Sequence, residues 1–323
     1  MKARLEPAEG WMDPELRAKL SKDSVLGLIG NTPLLHLNSK SWDIGEVEIF
    51  AKAEWTNPGG SIKDRPALRI ILDGMRSGKL SRGKTITDSS SGNTGVAYAM
   101  IGKALGYEVE LVIPKNVSQE RKQLVAAYGA KMIYTDPLQG SDGAIRAVWD
   151  LAAKFPDRYF YADQYNNPAN PRAHYDTTAV EIIKQTDGRF THFVAGIGTG
   201  GTLTGTGRRL KEFNQRVQVI AVEPAGPLHG LEGLKHMASS IVPGNYDAGL
   251  PDRVMPVETE EAYRVVDELL EREGLLVGYS SGAAMAAAVA LAREIKRGII
   301  VTIFPDGGER YLSEKTGSVI GNQ

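Results

Sequence analysis

The feature that most restricts the fold is an alternation. From about residue 47, short β-rich apolar runs take turns with amphipathic helical ones. "VEIFAKAEW" precedes "KDRPALRIILDGMRSG", "KTITDSS" precedes "TGVAYAMIGKALG", "EVELVIP" precedes "SQERKQLVAAYG", and "AKMIYT" precedes "SDGAIRAVWDLAAKF". A second series runs "RYFYAD", "TTAVEIIKQT", "THFVAGIG", "TLTGTGRRLKEF", "VQVIAVEP", a long loop, "TEEAYRVVDELLEREG", "SSGAAMAAAVALAREIKRG" and "IIVTIFP". Glycine or proline marks nearly every change. The alternation predicts two α/β lobes with mostly parallel sheets. The "QYNNPANP" stretch, Gln164 to Pro171, marks the seam. The expected division is a smaller lobe over 45–163 and a larger one made of 1–44 with 164–323. Clefts between such lobes are where small ligands bind.

Composition narrows what the cleft takes. The chain has 323 residues, 42% hydrophobic and 24% charged, as a folded protein of two lobes requires. Lysine plus arginine (38) nearly cancels aspartate plus glutamate (39), so no overall field draws the molecule to nucleic acid or an anionic membrane. With no cysteine there is no disulfide, thiolate-bound metal or cysteine nucleophile. The beginning, "MKARLEPAEGWMDPELRAKL", lacks the apolar core of a signal peptide, and no later run is long enough to span a bilayer. A cytoplasmic protein acting on small molecules is expected. The role of the first 20 or so residues stays open between a helix packing on a neighbouring subunit and a frayed tail.

Several polar turns each precede a helical run. In "FVAGIGTGGTLTG", glycines 196, 198 and 201 satisfy GxGxxG between a strand and a helix, with Glu223 ending the next strand. A dinucleotide site is therefore a live reading. Against it, several strand–helix steps come first, and hydroxyls at Thr199 and Thr202 suit a compact phosphate monoester at a helix N-terminus better than a pyrophosphate. In "NPGGSIKDR", Lys63 follows a proline–glycine turn at a strand-to-helix junction, where the positive field of the helix end would depress its pKa. A lysine held partly neutral is a nucleophile or an imine former. "SSSGNTG", Ser89 to Gly95, offers hydroxyls and backbone N–H groups for a carboxylate, and an amide, Asn93, able to bond an aromatic oxygen. A further turn, "GYSSGAA", places Ser280 before an alanine-rich helix.

Together these motifs resemble the cysteine synthases (O-acetylserine sulfhydrylases) of the fold-type II pyridoxal-phosphate enzymes, a group that includes cystathionine β-synthase. The similarity runs over residues 24 to 314, from "VLGLIGNTPLLHL" through "NPGGSIKDR", "SSGNTG", "GTGGT" and "SSGAA" to "GERYLS". The resemblance implies a two-lobed, three-layer αβα fold like the tryptophan synthase β chain, with pyridoxal 5′-phosphate as cofactor. It implies that Lys63 forms the Schiff base, Asn93 bonds the ring oxygen, Ser280 meets the pyridine nitrogen, and Gly198, Thr199, Gly200, Gly201 and Thr202 hold the 5′-phosphate. By the same matching Ser90, Ser91, Thr94 and Gln164 clamp the substrate carboxylate. It also implies a homodimer, and a serine acetyltransferase C-terminal tail as a possible partner.

A neutral serine opposite the ring nitrogen, in place of an aspartate, makes a weaker electron sink that favours loss of a β leaving group over a long-lived carbanion. Lys63 then serves twice, as imine former and as general base for the α-proton. The histidines His36, His174, His192, His229 and His236 are expected to be structural or surface residues. The acceptor rests on "AGPLHGLEGLKHMASSIVP". There Glu232 and Gly233 resemble a Gln–Gly step of the family, but the continuation is longer and more basic than in acetylserine enzymes, and Ser90 stands where many members have threonine. Lys235, with His236, would favour O-phosphoserine over O-acetylserine if it faces the leaving group; both lying exposed on a helix is the competing expectation. Cystathionine β-synthase activity is the enzymatic alternative, and a catalytically quiet paralogue that binds a partner the remote one.

Overall fold

The structure is a computed structural model and describes residues 14–90, 92–117 and 119–312. Its strands are β1 (Leu34–His36), β2 (Glu46–Ala53), β3 (Thr85–Ser89), β4 (Val109–Pro114), β5 (Lys131–Thr135), β6 (Tyr159–Tyr161), β7 (His192–Gly196), β8 (Gln218–Pro224), β9 (Arg253–Val257) and β10 (Arg297–Phe304). The helices are α1 (Pro14–Lys19), α2 (Ser39–Trp42), α3 (Asp64–Arg76), α4 (Asn93–Leu105), α5 (Gln119–Ala127), α6 (Gly140–Lys154), α7 (Ala169–Asp176), α8 (Thr178–Gln185), α9 (Gly201–Phe213), α10 (Thr259–Glu273) and α11 (Tyr279–Ile295). A six-stranded sheet has the order β1-β2-β10-β7-β8-β9, and a four-stranded sheet the order β5-β4-β3-β6. Every pairing is parallel except β1 with β2.

Parallel strands covered on both faces need apolar residues at successive positions, and neighbours along them point into different cores. On one face of the large sheet Val194, Val222 and Ile300 pack in a core with Val266 of α10 and Met285 of α11. On the other, the adjacent residues Phe193, Ala221 and Val301 pack with Ile182 of α8 and Leu203 of α9. Helix α11 is buried almost all round, which its alanines permit, and a Cβ on its Gly282 would lie 2.3 Å from the Ala262 carbonyl oxygen of α10. The small sheet likewise sits between Ile70 of α3 and Ile101 of α4 on one side and Val148 of α6 on the other. Leu16 of α1 joins that first cluster, so part of the opening segment is a helix packed on its own chain.

The division expected at residue 45 differs from the sheets at one strand. It gives β2 to the smaller lobe, whereas β2 pairs with β1 and β10 of the six-stranded sheet. Chain order misled here because a parallel sheet recruits strands from distant segments, and β10 lies some 250 residues from β2. Two elements inside expected loops also went unread: β9 and α7, the latter, "ANPRAHYD", beginning within the seam and running past it. Among the described residues, no helix is long and apolar enough to cross a membrane, and no cluster of side chains is suited to hold a metal ion.

Candidate active site

A cleft of about 1020 Å³ opens where the carboxyl ends of strands from both sheets meet. The chain leaves β2 toward Lys63, β3 toward Ser90 and Thr94, β7 toward Gly198 to Thr202, and β10 toward Asp306, and all of these segments face the cleft. In open α/β sheets this is the end at which loops and helix N-termini converge on ligands.

Lys63 immediately precedes α3. Its turn is bolted in place: Gly60 N–H donates to Asn57 O at 2.7 Å, Gly59 N–H to Asp64 Oδ2 at 2.5 Å, and Ile62 N–H to Pro305 O at 2.8 Å. Asn57 Nδ2 donates to both Glu54 O and Glu54 Oε2. Gly60 has φ +77°, and a Cβ on it would sit 2.2 Å from Arg310 Nη2, so only glycine fits. The Lys63 amine has no hydrogen bond or ion pair among the described residues. Its pKa lies below the usual lysine value because of burial, partly opposed by the carboxylates of Asp306 and Glu54. Burial thus accounts for the shift that the sequence suggested for a helix-end field.

The turn after β7 makes an anion cradle. Gly200 caps α9 at φ +80°, and no side chain caps the first-turn N–H groups of that helix. A Cβ on Gly198 would lie 2.2 Å from the Gly233 carbonyl oxygen, so the two loops touch backbone to backbone. Gly198, Thr199, Gly200 and Thr202 line the cleft, while Gly201 is packed beneath, its Cα against Asn170. Thr199 Oγ1 accepts from Asn170 Nδ2 at 3.0 Å, and the same nitrogen donates to Gln164 O at 2.7 Å. Thr202 Oγ1 lies 3.3 Å from His174 Nε2. His174 is buried and neutral, its pKa well below the ordinary value through burial and then the nearby Arg65 and Lys63 charges. Its ring meets Thr178 and Thr202, so it supports the glycine turn after β7 from within the fold.

The turn after β3 holds the other predicted group. Ser90 Oγ accepts from Gly95 N–H at 3.0 Å, capping α4 from within the cleft wall. Thr94 donates its hydroxyl to Gln164 Oε1 at 2.8 Å, and Gln164 Nε2 donates to Ser89 O at 2.8 Å. Beneath them Asp88 accepts from Ser89 N–H and Gln164 N–H, and burial pushes its carboxyl up to about 7 against those bonds. Ser90, Thr94 and Gln164 therefore come together; Ser91 lies outside the described residues. Ser280 starts α11 and faces the cleft opposite.

In the loop after β8, Lys235 lines the cleft, with Nζ 3.9 Å from Asp142 Oδ1 and 5.1 Å from the Tyr165 ring centre. Burial lowers its pKa, Asp142 opposing. Gly233 and Glu232 line it too, and Glu232 makes a two-pronged ion pair with Arg121 of α5 across the mouth. His236 turns instead to Ser239 Oγ at 2.8 Å. Neither Lys235 nor His236 is on a helix: this segment is irregular, so the expectation of an exposed helical pair fails. Glu223 accepts from Met237 N–H at 3.0 Å and so anchors the same loop. Two residues of the site, Asn170 and Asp306, had no motif to announce them, and Arg310 lay inside "GERYLS" with no role assigned to it. All three act through contacts between segments distant in sequence.

These residues fit pyridoxal phosphate: a half-buried amine with no partner among the described residues, a helix start with no side-chain cap whose glycine turn lines the cleft, and a neutral hydroxyl on the same cleft. The family model for pyridoxal-phosphate dependent enzymes matches residues 25–306. The chain belongs to that family. The dinucleotide reading of the glycine turn is thereby set aside. Curated relatives of this pyridoxal-phosphate enzyme include the cysteine synthase of Aquifex aeolicus, 55% identical over 299 residues and covering 91% of each chain. They include also cysteine synthase B of Salmonella typhimurium, 42% identical over 287 residues, 88% of this chain and 93% of that one. Among solved structures, cysteine synthase from Entamoeba histolytica superposes with a TM-score of 0.87 at 34% identity, over 93% of this chain and 92% of the other. The two-lobed, mostly parallel α/β architecture is that of the family.

Proposed function

We propose that this cleft makes L-cysteine by β-replacement: the bond from Cβ of an O-activated L-serine to its leaving group breaks, and a bond to sulfide forms. The observation that carries the reading is the Lys63 amine, half-buried, unpartnered among the described residues, and lining one cleft with the glycine turn after β7 and the hydroxyl-bearing turn after β3. When bound, pyridoxal phosphate supplies an electron sink for negative charge at the substrate Cα. The first turn of α9, with Thr199 and Thr202, holds the phosphate. Asn93 and Ser280 would hold the ring, Ser280 as a neutral partner. Ser90, Ser91, Thr94 and Gln164 would hold the substrate carboxylate. Lys63 Nζ would attach the cofactor and, as a free amine, would take the α-proton, for which a lowered pKa is the useful direction. A visible absorption band in the purified protein, lost in Lys63→Ala, is the expected signature. A band that survives the substitution overturns the assignment of Lys63.

For the acceptor, Lys235 in the cleft wall supports turnover of O-phosphoserine beside O-acetylserine. A panel crossing acetylserine, phosphoserine and serine with sulfide, thiosulfate and homocysteine reads this directly. Lys235→Ala should lower kcat/KM for phosphoserine about tenfold and leave acetylserine nearly unchanged; an unchanged phosphoserine rate removes Lys235 from the account. The cystathionine β-synthase alternative is not favoured, as the curated relatives above are cysteine synthases. A homodimer, a cytoplasmic location and docking of a serine acetyltransferase tail belong to the same proposal. They are supported by family membership and checked by sedimentation velocity, fractionation and peptide titration respectively.

A further inference from the structure

Just past β10 the chain brings a carboxylate under the floor of the cleft. Asp306 is 1% exposed. Its Oδ2 accepts from Asn93 Nδ2 at 2.6 Å and from the Tyr311 hydroxyl at 2.6 Å, while Oδ1 has no hydrogen-bond partner among the described residues. Space for it is cleared by Gly278, where a Cβ would lie 2.1 Å from Oδ1. On the far side of the same amide, Arg310 Nη1 donates to Asn93 Oδ1 at 2.5 Å. A guanidinium only donates and a carboxylate only accepts, so these two groups permit one orientation of the Asn93 amide. One Nδ2 proton is left over, on a residue that lines the cleft.

We propose that Asp306 is a positioning residue: with Arg310 it locks the Asn93 amide so that an N–H serves the cleft, and it sets a negative charge beside the Lys63 amine. The inference rests on the reading of Lys63 given above. The Lys63 and Asp306 segments lie side by side, Ile62 N–H donating to Pro305 O at 2.8 Å and Ser61 pairing with Asp306 in an antiparallel bridge. Burial raises the Asp306 pKa, and the facing groups Tyr311, Asn93, Arg310 and Lys63 oppose that rise in favour of the carboxylate; the carboxylates acting on Lys63 are Asp306 first and then Glu54. A carboxylate so placed favours the protonated amine, offsetting part of what burial does to it. Lys63 must be neutral to join an aldehyde and must hold a proton after taking one from substrate. Asp306 thus places the changeover between the two states at a higher pH than burial alone would.

The test uses the full-length protein stripped of cofactor. Covalent capture of pyridoxal phosphate, in which amine and aldehyde join with loss of one water, is timed against pH. In Asp306→Asn the midpoint of the rise in rate should move down by about half a pH unit or more. A purely structural role would slow capture at every pH and leave the midpoint in place. Asp306→Ser is the second variant should the first fold poorly. A double-mutant cycle with Asn93→Ala, read as cofactor dissociation constant, should be non-additive by about fivefold or more. In the wild type the Asn93 side-chain amide protons should exchange slowly in nitrogen-15 NMR. An unmoved midpoint removes the charge role; an additive cycle, or amide exchange as fast as in an exposed asparagine, removes the orienting role. Capture that persists in Lys63→Ala sinks the parent reading, whereas capture lost there with an unmoved midpoint and an additive cycle in Asp306→Asn sinks only this inference.

Discussion

Lys52 and Lys63 stand eleven positions apart, one near the end of β2 and the other at the junction beyond it, and both have pKa values lowered by burial. Lys52 is fully buried and Lys63 half-buried, and their partners differ. Lys52 Nζ donates to Thr32 O at 2.5 Å and Thr32 Oγ1 at 2.7 Å and pairs with Glu181 at 2.7 Å. Around it Arg65 bridges Glu54 and Glu181, so five side chains close a saturated network. Lys63 has no such partner among the described residues and opens on the cleft. Burial penalises both charges; the network compensates one, and the other is left for chemistry.

The largest expected effect tests the cleft side of this contrast. Lys63→Ala should cut kcat by about 10³-fold or more while unfolding at nearly the wild-type denaturant midpoint. The converse substitution, Lys52→Met, should leave the cofactor band in place yet lose about 3 kcal/mol in denaturant unfolding, because it leaves buried carboxylate charge short of a partner. If Lys52→Met loses cofactor and keeps stability, the contrast between the two lysines is wrong.

A pH series sharpens the same point. Burial pushes the Glu181 carboxyl up, but bonds and charges from Arg65 and Lys52 outweigh it and hold the group down at about 2, below its ordinary 4.5. Because the value is depressed, the contribution to stability is full above about pH 4.5 and is lost as pH falls toward 2. Unfolding free energies of wild type and Glu181→Gln should therefore differ by a few kcal/mol, roughly, at pH 6 and converge toward about pH 2.5. Curves that stay parallel would remove the ionic share of the network. The smallest effect is at the cradle. Gly198→Ala must displace the Gly233 carbonyl, and titration of the stripped protein should show cofactor affinity weakened about tenfold, with a stability loss of about 1 kcal/mol or more.

Much of this was legible in advance where the signal is local. The strand and helix alternation is a matter of periodicity, so the two sheets and most of their helices could be read directly, and turns such as Gly198 to Thr202 carry their purpose in residue type and in the helix they open. Lys63 was legible by its turn, although burial proved to be the larger source of its lowered pKa. Asp306 was not, since "FPDGGERY" looks like any strand end and its meaning comes from Asn93, 213 positions away. Asn170 hid in a proline-rich stretch that reads as a linker, and the helical placing of Lys235 and His236 failed because that loop is held by Glu223 and Arg121 and not by its own periodicity.

The sequence by itself determined the alternating layers, the polar turns and the company that Lys63 keeps, because strand period, glycine conformation and helix-start chemistry are short-range properties of the chain. Only the tertiary structure decided which sheet β2 enters, which of two lysines is left without a partner, and which way the Asn93 amide points. Each of those depends on groups that meet across long stretches of chain, and hydrogen-bond donors and acceptors have no identity as partners until the fold brings them within about 3 Å of one another.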